Sequence, residues 1–280
     1  MPSGFISVEP VKNLIFKTQG GVQYGYGESE QRELPSFIDY KFYDDPNPYT
    51  IVSNNRTLRK TLTNTLEYRF LLGEAKKHSF NVLLGQESVE NSTKQLDAAT
   101  YGQPAEGLTM LRHGSKNKRI EDQKSVSTFN SYFGRLEYSY NTRYFVDLSI
   151  RRDGSSAFGK NNHYGNFWAI GAMWKLKQEN FLKDVKWLSD LNLRFSTGLS
   201  GNALGGYKHI TTVKPDNFYQ GKTAYTVGTL GNPDLRWEEQ RKTTVGLNIV
   251  IDRGTSFNIE YYDRETYDMI SSRELNSTTG

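Results

Sequence analysis

Hydrophobic and polar positions alternate along most of the chain. "LEYRFLL" puts Leu66, Tyr68, Phe70 and Leu72 on one side, and "FNVLLGQ" does the same with Phe80, Val82 and Leu84. In "SYFGRLEYSY", Tyr132, Leu136, Tyr138 and Tyr140 share a side with Gly134, while Arg135, Glu137 and Ser139 face the other way. "YFVDLSIR" sets Tyr144, Val146, Leu148 and Ile150 against Asp147, Ser149 and Arg151, and "FWAIGAMWKL" lines up Trp168, Ile170, Ala172, Trp174 and Leu176. "LNLRFSTGL", "TVGLNIVI" and "SFNIEYYD" repeat the pattern, with Arg194 and Glu260 opposite the apolar positions. A period of two belongs to β-strands whose faces meet different surroundings. About nine strands are predicted, the first near residues 12–26, and the fold class is all-β and antiparallel.

The connections alternate in length. Those near 73–77, 141–143 and 252–254 are tight and that at 177–189 is modest. Between them lie long polar stretches near 27–56, 91–124, 153–164 and 200–237. Short turns on one rim and long loops on the other are the habit of an outer-membrane β-barrel, with its periplasmic turns and extracellular loops. A soluble sandwich has no reason to keep that order, and loops beyond about 12–15 residues are uncommon in compact domains. One helical period interrupts the strands: in "ENFLKDVKWLSD", Phe181, Val185 and Leu188 fall at i, i+4 and i+7, which predicts a short amphipathic helix across the rim or over the sheet.

The chemistry of the faces extends this picture. Tyr138, Tyr140, Tyr144 and Trp174 fall near the short-turn rim, as an aromatic girdle at headgroup depth would, although the same rings also suit the core of a soluble barrel. The opposite face separates the two: Arg135, Glu137, Asp147, Arg151, Asn192, Arg194 and Glu260 would pay a heavy desolvation cost in a small dry interior, and a water-filled lumen accepts them. Only 36% of the residues are hydrophobic, yet 13% are aromatic, so the chain is patterned rather than disordered. No run of 18 apolar residues supplies a spanning helix, a statement that leaves a barrel open because its strands need only about 9–11 residues each. The first thirty residues lack a charged segment followed by an apolar one, so no secretory leader is read there.

Candidate chemistry is sparse. There is no cysteine, hence no disulfide, thiolate metal site or thiol nucleophile. A net charge of +4 is too balanced for a nucleic-acid surface, and the basic run "KNKRIEDQK" is broken by Glu121 and Asp122. His78, His113, His163 and His209 have no partner at metal-ligand spacing, and no serine is singled out as a nucleophile. The sequence therefore points to no catalytic residue, metal or cofactor. "GSSAFG" and "TQGGVQYGYG" lack the strand–turn–helix context and Lys-Ser/Thr ending of a phosphate loop and read as turns and strand flexure. "GNPDLRWE" carries its own turn chemistry, with Trp237 opening the next strand. For ligand contact the candidates are loop residues: Tyr101, Tyr207, Phe218, Tyr219 and Tyr225 as rings that stack on sugars, and Asn202 and Asp216 as partners for hydroxyls. Packing of loops on one another is the competing role for those rings.

Three stretches carry a family likeness. "SYFGRLEYSYNTRYFVDLSIRRDGSSAFGKNNHYGNFWAIGAMWKL", "LSDLNLRFSTGLSGN" and "GNPDLRWEEQRKTTVGLNIVIDRGTSFNIEYYDRETYDMI" resemble successive parts of the barrel in SusC/RagA-type TonB-dependent outer-membrane transporters of Bacteroidetes. The likeness is dense over 125–270 and looser over 9–24. It implies an importer of large nutrients such as glycans or peptides, with a 22-stranded barrel, an N-terminal plug, a SusD-type surface lipoprotein as lid and energy from the TonB complex. The whole of 1–280 is expected to be a partial barrel, with the plug and the barrel's C-terminal strands absent and "NSTTG" as a loop-like tail. The alternative kept open is a soluble or cell-surface all-β binding module for carbohydrate or protein; an outer-membrane enzyme ranks last.

Overall fold

A computed structural model describes residues 2–37, 48–203, 206–219, 222–251 and 254–271, with backbone alone at 74, 216–219 and 222–223. Twelve strands occur in these residues: β1 Ser3–Val11, β2 Leu14–Glu33, β3 Tyr49–Leu72, β4 His78–Tyr101, β5 Lys116–Tyr140, β6 Tyr144–Ser155, β7 Tyr164–Lys175, β8 Leu188–Asn202, β9 Thr212–Tyr219, β10 Lys222–Thr229, β11 Glu238–Ile251 and β12 Thr255–Tyr267. Ten form one sheet in the order β1-β2-β3-β4-β5-β6-β7-β8-β11-β12, and β9 pairs with β10 in a separate ribbon. Each pairing from β5 to β12 is antiparallel, and β1 and β12 are the edges of an open sheet. By contact density the residues fall into two units, Met1–Gly4 with Gly20–Thr61 and Val89–Thr128, and Phe5–Gln19 with Leu62–Ser88 and Phe129–Gly280.

Short and long connections alternate except at one place, where the β6–β7 connection, 156–163, is shorter than the β7–β8 connection, 176–187. The turn between β5 and β6 is Asn141–Thr142, both with positive φ (49° and 54°), the conformation whose twist matches that of the flanking strands. The tail "NSTTG" and the first two residues of the "DRG" turn lie outside the described residues.

Three sequence expectations are corrected. β1 precedes the first expected strand, giving ten strands in the wall where alternation alone counts about nine. The stretches 27–56 and 91–124 are in large part strand: β2 continues to Glu33, β3 starts at Tyr49, β4 ends at Tyr101 and β5 starts at Lys116. The first ten residues of β5 are exposed at every position, and a strand wetted on both faces needs no apolar alternation to mark it. The helix expected over "ENFLKDVKWLSD" is absent. Leu188 and Asp190 pair with Ile251 and Val250 of β11, which commits them to the sheet. Residues 179–183 make one turn closed by amides of Leu182 and Lys183 donating to the Glu179 carbonyl (3.0 and 2.9 Å). Lys177 Nζ donates to the carbonyls of Leu182, Lys183 and Val185 at 2.9, 3.2 and 2.6 Å.

Candidate functional site

The register sorts the side chains of the second unit into two faces. Tyr138, Val146, Ala172, Phe195, Val245 and Tyr261 lie opposite one another along one row of the apolar face. Large apolar side chains on that face stay exposed, among them Ile150, Trp168, Ile170, Leu193 and Ile259. Near the short turns it carries a chain of ring contacts, Phe70–Phe80 (5.0 Å), Phe80–Tyr138 (4.8 Å), Tyr140–Tyr144 (6.2 Å) and Tyr144–Trp174 (6.0 Å), with His78 Nδ1 bonded to the Tyr138 hydroxyl at 2.9 Å. Tyr138, Tyr140, Tyr144 and Trp174 thus lie in a belt of rings near the short turns.

The other face is polar. Glu137 lies opposite Asp147, then Gly171, Ser196 and Thr244. Arg135 spans its neighbours: Nε donates to Asp147 Oδ2 at 2.9 Å and its guanidinium meets Glu137 at 2.8 Å, while Glu137 also accepts from Asn81 Nδ2 at 3.0 Å. Two rows away Arg194 reaches across Gly246 to Glu260 (3.1 Å) and Asn258 (2.7 Å). Gly246 lies beneath this path, and a Cβ there would be in ordinary contact with Glu260 Cγ at 3.5 Å and Arg194 Nε at 3.6 Å. Arg151 pairs with Asp153 (2.6 Å) and Glu87 (3.3 Å) and lies over the Phe133 ring. Between the Arg135 and Arg194 clusters runs a groove of about 560 Å³ floored by Gly171, Ser196 and Gly246. These pairs are half-exposed, and such pairs contribute only about 0–1 kcal/mol each. Their effect is to keep charges of both signs fixed along an exposed polar surface.

The candidate loop residues fall on several elements. Tyr101 ends β4 rather than lying in a loop, half-buried with its ring 6.0 Å from Tyr49. Asn202 is the exposed last residue of β8, opposite Glu238. Tyr207 is exposed, 5.9 Å from the His209 ring. Tyr225 projects from β10, exposed and opposite Pro215. Asp216, Phe218 and Tyr219 belong to β9, and their side chains lie outside the described set. Among the described residues no group of three His, Cys, Asp or Glu is placed to hold a metal.

Sequence reasoning missed a packed cluster on the long-loop rim of this unit. Phe158, Phe167 and Trp237 are buried together, with Phe158–Trp237 and Phe167–Trp237 centroids 4.7 and 5.4 Å apart. The loop 156–163 and the segment 231–237 interlock: Asn161 and Asn162 donate to the Asp234 carboxylate (3.1 Å) and carbonyl (3.0 Å). A Cβ at Gly159 would meet the Pro233 carbonyl oxygen at 2.5 Å, so only glycine fits there. His209 Nδ1 bonds the Ala157 carbonyl (3.0 Å), and the Asn232 amide donates to Lys208 O (3.0 Å), tying both feet of the β9–β10 ribbon to the same cluster. "GNPDLRW" is legible as a turn and "GSSAFG" likewise, but nothing in either marks that they pack together.

Among the described residues outside the strands, one carboxylate is perturbed. Glu179 accepts from the Tyr144 hydroxyl (2.7 Å) and Trp174 Nε1 (3.1 Å) and pairs with Arg143 (3.7 Å). The Tyr144 bond first, then the Trp174 bond, and more weakly Arg143, hold its carboxyl below the ordinary value of 4.5 against the opposing effect of burial. A lowered carboxyl stabilises the fold fully above the ordinary value and loses that contribution as pH falls through the folded one. Protection of the Leu182 and Lys183 amides against hydrogen exchange should fall as the pH drops below the ordinary carboxyl value of 4.5, and Glu179→Gln should remove that dependence.

An antiparallel wall with a ringed apolar face, a charged opposite face and turns alternating with long loops is the wall of an outer-membrane-type β-barrel. The chain belongs to the TonB dependent receptor-like β-barrel family, whose pattern it matches over residues 12–280. It is 35% identical over 158 residues to the TonB-dependent receptor P39 of Formosa agariphila, covering 56% of this chain and 15% of that protein. It is 34% identical over 183 residues to the TonB-dependent receptor SusC of Bacteroides thetaiotaomicron, covering 62% and 18%. The structure of the RagAB peptide transporter superposes on 99% of the chain and 31% of its own chain, with a TM-score of 0.84 and 29% identity. The barrel wall is therefore of the SusC/RagA type, and the chain spans less than a fifth of the length of the two sequence relatives. The ferric citrate transporter FecA, at 11% identity and a TM-score of 0.58, shares the fold alone.

Proposed function

We propose that this chain is a stretch of wall and external loops of an outer-membrane importer that takes up large nutrients, glycans or peptides, and performs no chemistry on them. The observation that carries the reading is the superposition on the RagAB peptide transporter over nearly the whole chain. On this reading the apolar face meets lipid, and Arg135, Glu137, Asp147, Arg151, Arg194 and Glu260 face a water-filled lumen. The receptor of which it is part works with a SusD-type surface lipoprotein and draws energy from the TonB complex. Tyr101, Asn202, Tyr207, Asp216, Phe218, Tyr219 and Tyr225 are the rim residues offered to cargo.

The test uses the whole receptor in cells supplied with fluorescent oligopeptide and oligosaccharide pools. Deleting the receptor is expected to abolish uptake of one pool. Gly246→Trp, which fills the groove between the Arg135 and Arg194 clusters, is expected to slow that uptake while leaving cargo binding at the cell surface. Unchanged uptake of both pools on deletion refutes the reading.

A further inference from the structure

The connection between β7 and β8 is more tightly built than a spacer needs to be. Its residues 176–187 fold around two internal anchors, the Lys177 ammonium on three carbonyl oxygens and the Glu179 carboxylate on Tyr144 and Trp174. Tyr144 and Trp174 belong to the apolar face and to its aromatic belt, so the Glu179 bonds fold the connection back onto that side of the rim. Yet its two largest apolar side chains are left out of the packing: Phe181 is 69% and Trp187 61% exposed. Lys183 and Lys186 are exposed between them, with Asp184 the one acid in that interval.

Aromatic rings beside lysines are the makeup of an element that lies in a membrane interface, the rings at the headgroup–acyl boundary and the ammonium groups at the phosphates. We propose that the 176–187 connection docks on phospholipid of the leaflet at the short-turn rim, Phe181 and Trp187 entering the boundary and Lys183 and Lys186 meeting lipid phosphates. Two observations select lipid as the occupant. The connection is continuous, through Glu179, with the belt that marks where the wall meets the membrane, and its exposed charge is predominantly positive against an anionic headgroup layer. The inference rests on the membrane reading above and extends it from the strands to a segment outside them. The helical period of "ENFLKDVKWLSD" is thereby given a use without a helix: the anchors at 177 and 179 present the two rings.

The experiment places a nitroxide at 181 or 187 of the whole receptor in vesicles of phosphatidylethanolamine and phosphatidylglycerol, with labels at 148 in the wall and 160 in a long loop as references. Collisions with oxygen report acyl chains and collisions with a water-soluble nickel chelate report solvent. Labels at 181 and 187 are expected to favour oxygen several-fold more than the label at 160. If they meet the nickel chelate as freely as 160 while 148 reports lipid, the docking is overturned and the membrane reading stands. If 148 also reports water, the membrane reading fails and the docking falls with it. Lys183→Glu combined with Lys186→Glu should raise the nickel collision rate at 181 in these vesicles and leave it unchanged in neutral phosphatidylcholine. Equal behaviour in both lipids overturns the contact between lysine and phosphate.

Discussion

Trp237→Ala should speed hydrogen exchange at the Phe158, Asn162 and Leu235 amides by more than about 100-fold, the loss of about 3–5 kcal/mol that truncating a buried Trp brings. Those amides close the turns of the interlocked loops, on Ser155, Gly159 and Asn232 carbonyls. Trp237 is 6% exposed and supplies the shared surface against which Phe158 and Phe167 pack. Removing it leaves a hole bordered by two rings and by Gly165, where a Cβ would come within 3.1 Å of the indole, so the backbone there is fitted to the ring rather than free to close over its absence. The effect should be local: the pairing of β8 with β11 rests on a run of ladder contacts beyond the cluster, and amides there should keep their protection. Unchanged exchange at Phe158 would show that the loops are held by the hydrogen bonds to Asp234 and from His209 rather than by the packed rings.

The second large effect distinguishes the faces of β6. Leu148→Arg should destabilise the folded receptor in a bilayer by about 2–4 kcal/mol, the cost of a cation near the middle of a lipid-facing strand, whereas Ser149→Arg should cost little. Leu148 lies four residues above Tyr144 of the belt, opposite Leu136 and Ile170, with no charged side chain among its cross-strand partners. Ser149 lies opposite Arg135 and Ala169, on the face where Asp147 and Glu137 already stand in water. Unfolding in urea from vesicles measures both variants on the same scale. Equal penalties would mean that both faces of β6 meet the same medium, and the assignment of lumen and lipid would be lost.

What the sequence made legible follows from what periodicity can report. β6, β7, β8 and β11 are marked by alternation because their two faces differ, and Arg135, Asp147, Arg194 and Glu260 could be placed on one surface from parity alone. The distal parts of β2 and β5 escaped because exposed residues on both faces leave no period, and those of β3 and β4 because the buried positions there include polar ones, Thr50 and Thr100, beside Val89 and Ala99; Lys60–Glu90 and Tyr26–Asn54 contacts hold the strands there. β1 escaped for the same reason as β2 and β5, since all nine of its residues are exposed. The helix over 179–190 failed because i, i+4, i+7 spacing records only which residues are apolar. Ladder contacts of Leu188 and Asp190 with β11 outweigh one amphipathic turn. The Phe158–Trp237 cluster was out of reach altogether: about 80 positions separate its halves, and neither half carries a pattern that names the other.

Every neighbouring pair in the main sheet is adjacent in sequence except β8 and β11. The interval between them holds the β9–β10 ribbon, and its feet are pinned to each other by the Asn232 amide on Lys208 and to the rim through His209 and Asp234. For the wall, the excursion from 208 to 232 therefore behaves as a closed stub whose contents are invisible beyond its base. Lengthening, shortening or replacing the ribbon changes neither the register of β8 on β11 nor the entropy of closing them by more than a fraction of a kcal/mol, since each doubling of a loop costs only about 0.6 kcal/mol. A lineage is thus free to exchange what it displays to the outside at this point without renegotiating the barrel that carries it.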